Sequence, residues 1–188
     1  MFHEEIKRHT DAFSQHLLHL THLDALTPNT ITLCCLVCKL TALYLFTQGH
    51  LTFGGIVVIL DWWFDALDGA LARLRGQETL FGGYLDIVSD HVLKSAWYLA
   101  AAYSNHLPFP VAALAIYAHF TAVVVVYFCR LTAMHHVPWL PATSGGGAPF
   151  IVGVFLGELE LLTKVAVVLD LCLALMNFIV VGYLNRNR

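Results

Sequence analysis

Residues 61–90 decide the fold of this chain and read DWWFDALDGALARLRGQETLFGGYLDIVSD. Aspartates occur in two groups within this stretch, spaced by three and four positions: Asp61, Asp65 and Asp68, then Asp86 and Asp90. Side chains three and four positions apart share one face of an α-helix, so each group predicts an acidic stripe. Because only a short connection separates the two helices, we expect them to run antiparallel and to bring the carboxylates together.

Clustered carboxylates at the edge of a bilayer repel each other strongly unless cations lie between them. Oxygen ligands suit Mg²⁺, Mn²⁺ or Ca²⁺ better than zinc. Two such ions about 4 Å apart are a natural arrangement for phosphoryl chemistry. In the alternative interpretation the aspartates form buried salt bridges with Arg73, Arg75 and Lys94. That alternative leaves Gly69 and Gly82 unexplained, whereas a close approach of helices or substrate to bare backbone would use both.

The composition around this stretch is that of a membrane protein. The 188 residues are 58% hydrophobic and only 12% charged, whereas soluble domains carry about 25% charged residues. The apolar residues fall in long blocks, which predict membrane-spanning helices. The net charge is −3 and no basic run occurs, so we expect no nucleic-acid partner.

Six spans are predicted, and Lys and Arg mark alternate ends of them. The spans cover residues 29–48, 53–73, 82–103, 110–130, and two parts of 149–184 that are separated by an interruption at 157–160. By the positive-inside rule, both termini and the carboxylate end of the bundle face the cytoplasm. Residues 1–24 have apolar positions near a 3.6-residue period, which predicts an amphipathic helix on the membrane surface.

The expected fold is therefore an all-α integral membrane protein in which residues 1–188 form a single domain. An interfacial helix over residues 1–24 precedes a six-helix transmembrane bundle over residues 29–184.

Charged residues inside the predicted spans form a second group of interest: Lys39, Asp61, Lys94 and Asp170. Charges at such depth usually face the interior of a bundle, so we expect these four to pair with each other. Asp61 lies one turn before the main motif, and we predict that it supports the site or pairs with a lysine instead of binding metal. His91 points to a different helix face from Asp90 and is predicted to pack or to make a local hydrogen bond.

The spacing of the motif resembles a known signature. The pattern Asp65-x2-Asp68-Gly69-x2-Ala72-Arg73-x8-Gly82-x3-Asp86-x3-Asp90 resembles, position for position, that of the CDP-alcohol phosphotransferase family. Family members also look like this chain in having a surface N-terminal helix and six spans, with the motif on the second and third. Pro28-Asn29-x-x-Thr32 is similar to the element that opens the first span of many members.

The resemblance implies transfer of a phosphate-linked group from a CDP-linked donor, usually CDP-diacylglycerol in short members, to a hydroxyl with release of CMP. It also implies a homodimer and two divalent cations, Mg²⁺ or Mn²⁺. The residues carried over for the metals are Asp65, Asp68, Asp86 and Asp90, with Asp90 also the general base. Those carried over for the CDP portion are Asn29, Asp68, Gly69, Arg73 and Gly82. The chemistry agrees, because attack on a diphosphate needs charge neutralisation and a base near the attacking hydroxyl.

The acceptor and one alternative function stay open at this point. Arg130 and Arg75 are candidates for binding a phosphate on the acceptor, or are interfacial anchors. Residues 135–149 contain no lysine, although members with phosphorylated acceptors often have one there. The alternative function is a membrane cation or proton transporter that uses the aspartate cluster. The position of the cluster at cytoplasmic helix ends and the lack of internal repeats argue against that function.

Overall fold

The computed structural model describes residues 28–76, 80–133 and 147–186. These residues form α-helices and their connections only, without any strand. The helices are α1 (Pro28–Thr47), α2 (Leu51–Arg75), α3 (Leu80–Tyr103), α4 (Phe109–Ala133), α5 (Gly147–Leu156) and α6 (Leu159–Arg186). The predicted surface helix over residues 1–24 lies outside the described residues.

The predicted interruption of the last apolar block is confirmed. Helix α5 ends at Leu156 and α6 begins at Leu159. Between them Gly157 has a φ of 74°, and a residue in this left-handed region ends a helix because it turns the chain away from the helical path. Glycine adopts that conformation without the steric cost of a Cβ.

Three of the described helices are long and apolar enough to cross a membrane, over Thr30–Thr47, Phe109–Cys129 and Leu159–Tyr183. Helices α2 and α3 have comparable lengths of 25 and 24 residues but carry the charged motif. Helix α5 has only 10 residues. Many large apolar side chains lie exposed on the outer faces, as expected for helices surrounded by lipid.

Helix α1 packs against both α2 and α3, and so connects the two helices of the motif. Helix α3 packs on α4, α4 on α6, and α5 against α6 and α2. The core contains Phe46 of α1, whose ring meets Trp97 of α3 and Phe150 of α5 edge-on, with centroids 6.2 and 5.6 Å apart. A Cβ at Gly54 of α2 would lie 2.6 Å from the Phe46 ring. The absence of a side chain there allows α2 to approach α1 closely.

A smaller apolar cluster lies toward the motif end of α1 and α2. Ile31 and Cys35 of α1 are buried there against Leu67 and Leu71 of α2. This cluster sets the register between the two helices and places the start of α1 beside the carboxylate-bearing end of α2.

Candidate active site

Asp65 and Asp68 lie on α2, three positions apart and partly exposed. The hydroxyl of Thr32 on α1 donates a hydrogen bond to Oδ2 of Asp68 over 2.6 Å. Thr32 follows Ile31 of the apolar cluster, so the packing of α1 on α2 brings the hydroxyl to the carboxylate. A hydrogen bond to an ionised carboxylate is short and strong, and this one fixes the orientation of Asp68.

Lys39 lies two turns further along α1 and connects the two helices of the motif. Its Nζ is 2.7 Å from Oδ1 of Asp90 on α3 and 3.5 Å from Oδ1 of Asp61 on α2. The side chains of Lys39 and Asp61 are only 4% and 2% exposed. Buried charges of this kind are tolerated only when they are paired. The predicted pairing of Asp61 with a lysine is confirmed.

A second ammonium group reaches Asp90. The Nζ of Lys94, one turn further along α3, is 3.6 Å from Oδ2 of Asp90. The start of α5 also lies beside this lysine: a Cβ added at Gly147 would be 3.7 Å from Lys94 and 3.7 Å from Trp62. Asp90 is therefore flanked by two cations while its side chain remains 23% exposed, so it can still meet a substrate. The alternative interpretation, in which the aspartates form salt bridges, is therefore correct in part, because Asp90 pairs with Lys94 and with Lys39.

Several predicted site residues lie on described helices, but their side chains lie outside the described part of the structure. These are Asn29, Gly69, Arg73, Gly82, Asp86 and Arg130. Asp86 precedes Asp90 by one turn of α3, and Arg75 is exposed at the end of α2. Among the side chains that are described, no three of the His, Cys, Asp and Glu type converge as a metal-binding group. Convergence of all four signature aspartates therefore stays a prediction.

Two features of the site escaped the sequence analysis. The contact of Lys39 with Asp61 follows from the expectation that charges within spans pair, but nothing in the sequence indicates its second contact, with Asp90. Thr32 was noted as part of the element that opens the first span, without its hydrogen bond to Asp68. The Pro28-Asn29-x-x-Thr32 element is the feature of the sequence that could have indicated a role for Thr32.

A third polar group lies on the other side of α3. His91 Nδ1 is 3.0 Å from Nε2 of His119 on α4. His119 Nδ1 is in turn 3.6 Å from Oδ2 of Asp170 on α6. The prediction for His91 was packing or a local hydrogen bond, whereas its hydrogen bond reaches His119 on a neighbouring helix. The expectation that Asp170 pairs with a charged residue of the other spans is wrong, because α6 packs on α4 and the Asp170 carboxylate faces His119.

Comparisons with known proteins indicate the family to which this chain is similar. Residues 25–183 match the family model of CDP-alcohol phosphatidyltransferase. A phosphatidylinositol phosphate synthase of Mycobacteroides abscessus is 46% identical over 71 residues, which are 37% of this chain and 32% of that protein. An archaetidylinositol phosphate synthase of Pyrococcus horikoshii is 39% identical over 67 residues, which are 36% of each chain. These matches span only about a third of the length of the relatives.

The whole fold is similar to that of a solved structure. The crystal structure of Mycobacterium tuberculosis phosphatidylinositol phosphate synthase with CDP-DAG bound has a TM-score of 0.61 and 24% sequence identity. The likeness covers 93% of this chain and 94% of that one. With the family model matching most of the sequence, the chain belongs to the CDP-alcohol phosphatidyltransferase family.

Proposed function

We propose that the protein transfers a phosphatidyl group from CDP-diacylglycerol to the hydroxyl of a small polar acceptor, with release of CMP, in phospholipid synthesis. Family membership supports this reaction, and so does the CDP-DAG named for the M. tuberculosis structure. The observation that carries the proposal is the placement of Asp90. Its carboxylate is partly exposed, pairs with two neighbouring ammonium groups, and lies on the helix that follows the Asp65–Asp68 stripe.

The residues on α2 fit a divalent-cation site. Asp65 and Asp68 offer carboxylate oxygens on one helix face, and Asp68 is oriented by Thr32. Oxygen donors with an outer hydrogen-bond partner are what Mg²⁺ and Mn²⁺ require. With Asp86 from α3, these carboxylates would hold two such ions, and Asp90 would lie at the edge of the site. Bound cations would neutralise the diphosphate of the donor.

Residues of the chain itself accept the proton and bind the two substrates. Asp90 accepts the proton of the acceptor hydroxyl, and Lys39 holds one carboxylate oxygen so that the group keeps its orientation. Arg73 contacts the donor phosphates, since a guanidinium fits phosphate oxygens in a bidentate geometry. The donor also contacts Asn29, Asp68, Gly69 and Gly82. Arg130 and Arg75 contact the acceptor.

The same proposal includes the membrane arrangement. Residues 1–188 form one membrane domain with an interfacial helix over residues 1–24 and six spans. The site faces the cytoplasm, and the protein is a homodimer. The exposed apolar faces of the helices and their positively charged ends support this arrangement.

Release of CMP tests the proposed reaction. The purified protein is given CDP-diacylglycerol and Mn²⁺ or Mg²⁺, with inositol phosphate, glycerol 3-phosphate, serine or an amino alcohol as acceptor. Inositol phosphate is placed first because of the names of the relatives. We expect CMP to form with one acceptor and to stop when EDTA removes the metal. If no acceptor gives CMP, the proposal is wrong, and ion flux into proteoliposomes would then test the transporter function.

Replacing Thr32 with valine is expected to weaken Mn²⁺ binding by about ten- to hundredfold, the usual effect of losing a residue that orients a metal ligand. The reason is that valine cannot donate to Oδ2 of Asp68. Calorimetric titration with Mn²⁺ measures the affinity. Thr41→Val is the matched control, because in the described part of the chain that hydroxyl, on the same helix, donates only to the carbonyl of Val37. Equal Mn²⁺ affinity in the two variants would contradict a metal-ligand role for Asp68.

A further inference from the structure

His91, His119 and Asp170 form a polar network that the proposed reaction does not use. The three residues come from α3, α4 and α6, so the network joins helices that are distant in sequence. The side chains of His119 and Asp170 are both 2% exposed. Oδ1 of Asp170 has no hydrogen-bond partner among the described residues. Burying such groups in a helix bundle is unfavourable, and apolar side chains of similar volume often pack at least as well.

The contacts of the network agree with a single assignment of hydrogen-bond donors and acceptors. The Asp170 carboxylate faces Nδ1 of His119 at 3.6 Å and favours the tautomer that carries a proton there. Nε2 of His119 is then a lone-pair acceptor, and His91 Nδ1 donates to it over 3.0 Å. Both imidazole rings are thereby held in a single orientation.

The position of the network on α3 links it to the active site. Neighbouring residues on an α-helix point about 100° apart. Asp90 accordingly faces Lys39 of α1, whereas His91 faces His119 of α4. The same turn of α3 is therefore held from two sides, by an ion pair toward α1 and by the histidine network toward α4 and α6.

We propose that the His91–His119–Asp170 network positions the Asp90 carboxylate by fixing the rotation of α3. This inference rests on the proposed function, in which Asp90 is the base. Lys39 is the group that ties Asp90 to a neighbouring helix, because Lys94 lies on α3 itself. Apolar packing around Trp97 holds α3 further along the helix, but it does not fix the turn that carries Asp90 on the side facing α4. The network supplies the second fixed point. His119 and Asp170 are positioning residues in this arrangement, since neither contacts Asp90 directly.

Two substitutions of His119 test the proposal. His119→Leu removes the contacts with His91 and Asp170. We expect kcat for CMP release to fall by about ten- to hundredfold, since a displacement of about 1 Å at a reacting group has this effect. The KM for CDP-diacylglycerol should stay near that of the wild type. His119→Gln should recover most of kcat, because its amide can accept from His91 and donate toward Asp170. Rates are normalised to the folded fraction measured by size-exclusion chromatography.

Asn177→Leu is the matched control. Asn177 is also buried on α6, but among the described residues its amide donates only to the carbonyl of Leu173 on the same helix. We expect it to alter thermal stability while kcat per folded molecule stays near the wild-type value. An unchanged kcat in His119→Leu would overturn the proposal. So would an equal fall in Asn177→Leu, which would indicate a general effect of packing.

A second readout does not depend on activity. Asp90→Cys, in a chain whose native cysteines are replaced, is alkylated by a water-soluble thiol reagent, and the rate is compared with and without His119→Leu. A changed rate with His119→Leu and an unchanged one with Asn177→Leu would show that the network sets the position of residue 90. The same rate in all backgrounds would overturn the proposal. Absence of CMP release by the wild type, together with a changed rate, would reject the proposed function alone.

Discussion

Asp90→Asn is expected to reduce kcat for CMP release by about 10²- to 10⁴-fold, the range that general base catalysis contributes. The amide is almost isosteric with the carboxylate and can still lie between Lys39 and Lys94, but it cannot accept the proton of the acceptor hydroxyl. Binding of Mn²⁺ and CDP-diacylglycerol should remain largely in place, because Asp65, Asp68 and the nucleotide contacts are unaltered. Turnover is followed by CMP release, and binding by calorimetric titration.

Asp61→Asn is the control for Asp90→Asn, because it changes the local charge without removing the proposed base. Asp61 contacts the same ammonium group as Asp90, so each variant removes one negative charge from the surroundings of Lys39. We expect Asp61→Asn to keep kcat within about tenfold of the wild type, a barrier change of about 1.4 kcal/mol. Turnover by Asp90→Asn at a similar level would remove Asp90 from the base role.

Lys39→Met is expected to lower the free energy of unfolding by about 3–5 kcal/mol, as is typical when one partner of a buried ion pair is removed. Asp61 is almost fully buried and would lose its ammonium partner, and Asp90 would keep only the longer contact with Lys94. Turnover should fall as well, because the orientation of Asp90 is lost. Unfolding by SDS titration in mixed micelles measures the change.

Lys164→Met is the control for loss of a lysine. Lys164 pairs with Glu160 over 2.6 Å on the surface of α6, and an exposed pair of this spacing contributes only about 0.3–0.5 kcal/mol. The double variant Lys39→Met/Asp61→Asn should recover part of the stability, since it removes the buried unpaired carboxylate together with the lysine. If Lys39→Met unfolds at the wild-type SDS concentration, the buried network does not hold α1, α2 and α3 together.

The sequence by itself determined the features that depend on spacing within one helix. The alternation of apolar blocks and charged ends predicted the helices, and the Gly157 interruption predicted where α5 gives way to α6. The three- and four-residue intervals placed Asp65 and Asp68 on one face of α2, and the spacing of the signature identified the family that the comparisons then confirmed. The pairing of Asp61 with a lysine followed from its depth, since an isolated charge in a span is unfavourable.

The tertiary structure alone decided which side chains on different helices meet. Thr32 and Asp68 are 36 residues apart, and His91 and His119 are 28 residues apart. No periodicity connects such pairs, because helical spacing determines only which residues of one helix share a face. The contacts depend on how far α1 slides along α2 and how α3 is turned between α1 and α4, and the packing of Ile31, Cys35, Leu67 and Phe46 sets both. The contact of Asp90 with Lys39 and that of His91 with His119 therefore arise from packing between helices.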